Sequence, residues 1–157
     1  MKRIAVLVDV QNIYYTTRQQ FSRQFNYHAL WRELSAQGEI IHAYAYATDR
    51  GDSGQQKFQH ALESMGFKVK LKPYIQRRDG SAKGDWDVGI CVDAMLIAEQ
   101  VDTLVLLSGD GDFAVLLEAL KTHFETECIA YGVSALSAKA LMDSASQFRP
   151  ITHALLK

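Results

Sequence analysis

Cysteine is scarce in this chain: Cys91 and Cys128 are its two copies in 157 residues. They form no CxxC and no zinc-ligand spacing, which excludes a disulfide framework and a thiolate metal site. Cys91 falls in an apolar helical pattern and Cys128 in an apolar strand pattern, so both read as buried free thiols. No stretch reaches the roughly 20 apolar residues that a membrane-spanning helix needs. A surplus of one charge is missing too. The formal net charge is −1, so the molecule as a whole is not a basic nucleic-acid binder. Any attraction to phosphate must come from a local patch or from bound cations. Gly-x-Ser-x-Gly, Gly-x-x-x-x-Gly-Lys and Gly-x-Gly-x-x-Gly are all absent, which removes the simplest serine hydrolases, P-loop enzymes and dinucleotide enzymes. A phosphatase with an aspartyl nucleophile wants a second Asp two residues after the first. Gln11 stands there after Asp9.

What is present is ordinary for a folded domain, with 48% hydrophobic and 22% charged residues. The length predicts one domain over 1–157. The chain enters its first strand at Ile4, which predicts no secretory leader and, with unpaired thiols, a cytoplasmic setting.

Ile4 to Val8 is a continuous apolar run of the kind buried on both faces of a parallel sheet. Ile40 to Thr48, Phe67 to Tyr74, Thr103 to Leu107 and Glu127 to Tyr131 read as four further strands. Helical periodicity fills the gaps at Tyr14 to Arg23, His28 to Gln37, Gln55 to Ser64 (closed by Gly66), Val88 to Glu99, Phe113 to Thr122 and Ala135 to Ser144. On the fourth of these, Val88, Val92, Met95 and Leu96 share one apolar face. Strand alternating with helix predicts an α/β fold: a mostly parallel five-stranded sheet with helices on both faces. Gln76 to Asp85 reads as the one long open loop.

Ligands in open parallel sheets bind beyond the carboxyl ends of the strands, where strand order switches. Asp9 ends the first strand, and Asp110 and Asp112 follow the fourth. If the helices after those strands cover opposite faces, the two strands are neighbours and their acids converge. Asp85 and Asp87 open the helix before the fourth strand. Each acid alone reads as a helix cap or as a partner for the helix dipole. The string SGDGDF goes further. It sets two carboxylates two residues apart, with Gly109 and Gly111 permitting a tight turn in which backbone approaches a ligand. Two carboxylates about 6 Å apart repel by roughly 3 kcal/mol at an effective dielectric near 20. Either some protonate or a cation enters. Oxygen ligands without nearby His or Cys favour Mg²⁺ or Mn²⁺. Such ions activate water and stabilise the leaving oxygen of a phosphodiester.

AVLVDVQNIYY near the start, KGDWDVGICVDA in the middle and VLLSGDGDF later resemble, together and in this order, the NYN domains of the LabA-like group, relatives of PIN-type ribonucleases. The resemblance runs from Ile4 to about Phe148. It implies a Rossmann-like, PIN-like three-layer α/β/α fold and a metal-dependent ribonuclease acting on RNA. Asp9, Asp87, Asp110 and Asp112 are the metal-holding and catalytic acids it implies. Asn12, Ser108 and Asp93 are supporting residues. Asp93, about 120° around the helix from Asp87, supports the site from the side or pairs with a basic residue. Ser146 stands where many relatives carry an Asp two residues before an aromatic, and it reads as structural. A non-catalytic RNA-binding or regulatory module that keeps the acidic pocket is the alternative.

Lys68, Lys70 and Lys72 share one side of a strand. They read as guards of a sheet edge or, with Arg77, Arg78 and Lys83, as a track that grips phosphates. Lys83, just before Asp87, is the foremost of these. Tyr14, Tyr15, Tyr44, Tyr46 and Trp86 are core aromatics or base-stacking surfaces, with Trp86 the one whose burial is least obvious. The oligomeric state is open, a homodimer included.

Overall fold

The structure, a computed structural model, describes residues 1–49, 51–73, 75–76, 82–83 and 85–157, with the backbone alone at Pro73, 75–76 and 82–83. In chain order the elements are β1 (Arg3–Asp9), α1 (Val10–Phe21), α2 (Tyr27–Ser35), β2 (Glu39–Asp49), α3 (Ser53–Met65), β3 (Lys68–Pro73), β4 (Ile75–Gln76), β5 (Ala82–Lys83), α4 (Asp87–Ile97), β6 (Thr103–Leu107), α5 (Ala114–Phe124), β7 (Glu127–Gly132), α6 (Lys139–Ser144) and β8 (Gln147–Pro150).

Six strands form one sheet in the order β3-β2-β1-β6-β7-β8, and every neighbouring pair is parallel. The expected count of five is short by β8. That strand is only QFRP, an edge partner of β7 that ends in proline, and two exposed and two partly buried residues leave no apolar run to find. Of the open loop expected over Gln76 to Asp85, residues 77–81 and 84 lie outside the described ones, and the two ends are paired. Ile75–Gln76 and Ala82–Lys83 pair as a small antiparallel ladder.

Residues of β1 alternate between two cores because successive side chains point to opposite faces. Ile4, Val6 and Val8 pack with Ile13 of α1, Leu30 and Leu34 of α2 and Leu62 of α3. Ala5 and Leu7 pack with Ile90 and Ala94 of α4, Leu117 and Leu120 of α5 and Leu141 of α6. Three helices therefore cover each side, giving three layers. Fully buried leucines such as Leu7, Leu104 and Leu106 each contribute roughly 1.5–3 kcal/mol by leaving water. Gly66 closes α3 at φ 126°, where it also lies against Trp31: a Cβ there would stand 2.7 Å from the indole.

Helix α4 is turned the other way from the sequence expectation. Val88, Val92, Met95 and Leu96 face outward, with Val88 75% exposed and Leu96 72%. Ile90, Ala94 and Ile97 are the buried side. The segment DVGICVDAMLI is apolar nearly all round, so periodicity alone could not choose the face. Cys128 is buried as expected, but Cys91, on this same helix, is only partly so. None of the described helices is long and apolar enough to cross a membrane.

A candidate metal centre at the carboxyl ends of β1 and β6

β1 and β6 are hydrogen-bonded neighbours, and the helices that follow them, α1 and α5, lie on opposite faces. The strand order switches here, and the ends of the two strands open side by side. The fold thus brings the Asp9 end of β1 next to the SGDGDF turn after β6.

Hydrogen bonds tie the two ends together. Buried Ser108 donates through Oγ to Oδ2 of Asp9 at 3.1 Å and accepts the N–H of Asp110 at 3.2 Å. The side-chain carbonyl of Asn12 accepts the N–H of Gly109 at 2.9 Å. Asp9 also serves the helix after it, and Asp110 the 3-10 turn Gly111–Phe113 that leads into α5. Asp9 caps α1, accepting from Asn12 N–H at 3.4 Å, and Asp110 accepts from Asp112 N–H at 2.9 Å. Capping and clustering coexist because a carboxylate has two oxygens.

Asp87 arrives from the opposite layer. Trp86, the residue before α4, donates its indole N–H to the carbonyl of Ala47 in β2 at 2.9 Å. Its ring lies 5.4 Å from that of Tyr46, and Lys72 Nζ stands 4.7 Å from its centre. The start of α4 is thereby fastened to β2, and Asp87 meets Asp110. Trp86 is a partly buried packing residue with its one polar atom engaged, which is the reason for its position.

Among the described residues, Asp87, Asp110 and Asp112 each offer a carboxylate oxygen, all within 4.8 Å of one another. At that spacing each ionised pair repels by roughly 3 kcal/mol at an effective dielectric near 20. The pressure shows in the acidities. Burial, then the charges of Asp110, Asp85 and Asp9, push the Asp87 carboxyl up to about 7. Burial pushes Asp9 up to about 6 against the opposing hydrogen bonds from Ser108 and Asn12, with Asp110 and Asp85 adding to the rise. Asp9 stands beside the trio, coupled to it by charge and by Ser108. Among the described residues this is an all-oxygen, partly open set of donors, which fits a hard divalent cation.

Asp85 is a fifth acid, one that sequence reading did not place. It adds negative charge to both Asp9 and Asp87, and its carboxylate accepts the N–H of Asp87 at 3.4 Å. The signal was present in DWD, which repeats the two-residue spacing of DGD. Lys72 reaches the same border, donating to the Asp85 carbonyl at 3.0 Å.

Other candidates fall elsewhere. Asp93 accepts from Lys70 Nζ at 2.6 Å and from the hydroxyl of buried Tyr46 at 2.8 Å, so of its two readings the structure has the pairing with a base. β3, which carries Lys68, Lys70 and Lys72, is a sheet edge. Ser146 exchanges hydrogen bonds with the backbone of Cys128 at the start of β7, the opposite end of the sheet from the acids. Arg77 and Arg78 lie outside the described residues, and Lys83 is described as backbone only.

The glycines of the turn have a different reason from the one expected. Neither has positive φ. A Cβ on Gly109 would stand 2.7 Å from Ser137 Oγ, and one on Gly111 would stand 2.9 Å from the Ala138 side chain. They admit the chain's own segment after β7, which is held by an Ala138 N–H to Gly109 carbonyl bond of 2.9 Å.

Known proteins resemble this chain in sequence and in fold. LabA, the low amplitude and bright protein of Synechococcus elongatus, is 27% identical over 157 residues, covering 93% of this chain and 82% of LabA. A protein of unknown function from Vibrio parahaemolyticus, solved by crystallography, is 47% identical with a TM-score of 0.94, covering 99% of this chain and 96% of that one. The NYN domain family model matches residues 3–152. That span takes in every strand of the large sheet together with Asp9, Asp87, Asp110 and Asp112, and the chain therefore belongs to the NYN domain family.

Proposed function

We propose that this chain is a metal-dependent ribonuclease whose acidic centre holds Mg²⁺ or Mn²⁺ and hydrolyses RNA phosphodiesters. The observation that carries the reading is the trio Asp87, Asp110 and Asp112, with oxygens within 4.8 Å of one another at a switch in strand order. Carboxylates from α4 and from the turn after β6 would hold the cation, with Asp9 beside them. When bound, a divalent cation supplies the charge that offsets the acids, polarises the phosphodiester and acidifies water. RNA as the substrate comes from the resemblance of this family's motifs to PIN-type ribonucleases.

The chain's own residues set the stage before anything binds. Ser108 holds Asp9 and the Asp110 backbone. Asn12 holds the Gly109 amide, and with it the orientation of the turn. Trp86 holds the start of α4. The acids are thereby fixed in place by groups that do not themselves need to touch substrate, the condition for a preorganised site.

A second reading has its own observation. Asp9 and Asp110 both spend an oxygen on capping, which suits a regulatory or RNA-binding module that keeps the pocket without cutting. Labelled RNA incubated with purified protein and Mn²⁺ or Mg²⁺ separates the two. Metal-dependent cleavage that EDTA and Asp110→Asn both abolish, with the fold intact, supports the ribonuclease. RNA binding without product at saturating metal supports the module, and full activity in Asp110→Asn refutes the assignment.

A further inference from the structure

A cleft of about 650 Å³ lies between α1 and α3, within the size range of small-molecule sites. Its floor is apolar and belongs to the core: Ile13, Tyr27, Phe58 and Leu62 line it. Its rim is different. Gln11, Tyr14, Tyr15 and Arg18 all line the cleft, and their spacing of three, four and seven residues puts them along one side of α1. Tyr14 is 43% exposed and Tyr15 49%, an unusual pair of aromatics for the solvent side of a helix. Their rings meet edge to face at 5.3 Å, and the guanidinium of Arg18 lies 4.8 Å over the Tyr14 ring.

The position of this rim follows from the acid site. Asp9 caps α1, so the row of side chains begins at the acidic centre and leads away from it, with Tyr14 about 7.5 Å further along the axis. The charge is complementary to phosphate. Arg18, Lys57 and Lys157 line the cleft against one acid, Asp52, whose carboxylate caps α3 through the N–H of Gln55 at 2.7 Å. Flat aromatic surface, neighbouring cations and an apolar recess are together what single-stranded nucleic acid uses, and stacking on aromatics accepts any base.

We infer that this cleft takes an unpaired nucleotide of the strand engaged at the acidic centre, with its base against Tyr14 and Tyr15 and its phosphate toward Arg18 and Lys57. The inference rests on the RNA reading of that centre. It adds a place for one base beside the acidic centre, which a base inside a duplex does not fill because it presents no free face to the tyrosines.

The test uses Asp110→Asn protein, so that bound RNA stays whole, and a labelled 12-nucleotide oligouridine RNA followed by fluorescence anisotropy. Replacing Tyr14 and Tyr15 together by Ala weakens binding roughly 10-fold or more, and replacing both by Phe keeps it near the parent. Arg18→Ala weakens binding and lowers the salt dependence by about one phosphate contact. Unchanged affinity in the double Ala variant overturns the inference. So does an equal loss for blunt duplex RNA, or binding of adenosine monophosphate without binding of the strand. Cleavage is scored separately in the otherwise native chain. Metal-dependent cutting with unchanged KM in the double Ala variant overturns the cleft and leaves the ribonuclease standing. Strand binding lost in that variant, in a protein that never cuts, supports the cleft and overturns the ribonuclease.

Discussion

Trp86 and Ala47, 39 residues apart, are joined by one hydrogen bond from the indole N–H to a strand carbonyl, 2.9 Å long. That bond ties the residue before Asp87, and so the start of α4, to β2. Trp86→Phe keeps most of the ring packing and deletes the donor. The expected outcome is a loss of about 1–2 kcal/mol in stability and weaker Mn²⁺ binding, since Asp87 is no longer held against Asp110. Thermal melts and a metal titration check both halves, and a variant that matches the parent in both would show that the bond positions nothing.

Acidity gives a second test, in metal-free protein. The folded-state pKa values of Asp9 and Asp87 are raised, to about 6 and about 7, above the unfolded carboxyl value near 3.9. A raised value means that the folded state holds its proton more tightly. The associated stability is fully present below about pH 4 and is lost as pH rises through 6 and 7. Asp9 alone accounts for about 3 kcal/mol, and the more exposed Asp87 for less because water screens it. Melting temperature should therefore fall by roughly 5–10 °C between pH 5 and pH 8. Saturating Mg²⁺ should recover much of that fall at pH 8. A flat profile with no response to the cation would mean that the acids do not share a site.

Asn12 touches the turn through its carbonyl. Asn12→Ala leaves the Gly109 N–H without that acceptor, at a cost of about 1–3 kcal/mol. As a positioning residue it should lower metal affinity or turnover roughly 10-fold or more while leaving the affinity for RNA near the parent. An RNA affinity that drops in step with turnover would place Asn12 in direct contact with substrate instead.

Asp93 offers a contrasting case. Its partners are Lys70 and Tyr46, so Asp93→Asn should lower the melting temperature by a few degrees, for a loss of about 1–2 kcal/mol, and leave cleavage per folded molecule unchanged. Cleavage lost without loss of stability would return Asp93 to the site.

Much of this site was readable before the fold was known, for reasons that particular residues make clear. The continuous apolar runs Ile4 to Val8 and Thr103 to Leu107 are of the kind that sits in the middle of a parallel sheet. The rule on switching strand order then carried Asp9 toward Asp110 without any distance. Asp87 was harder, because its placement depends on a tertiary bond from its neighbour Trp86 to Ala47, and nothing local encodes that. Asp85 escaped because an exposed acid before a helix has an ordinary explanation as a cap or a partner for the dipole. The direction of α4 escaped because Val88, Ile90, Val92 and Leu96 are equally apolar, and only packing shows that Ile90 faces in. β8 escaped because four residues at an edge carry no period.

Ser137 and Ala138 press on the acidic turn from behind, close enough that Gly109 and Gly111 have no room for a methyl group. The turn is therefore a wedge with its tip toward the acidic centre and its back against the chain. Enlarging either glycine would drive the carboxylates of Asp110 and Asp112 off their marks without removing any group that meets the substrate. An inactive Gly109→Ala or Gly111→Ala protein would report crowding behind the acids, and its lost turnover would say nothing about whether the turn's backbone grips a phosphate.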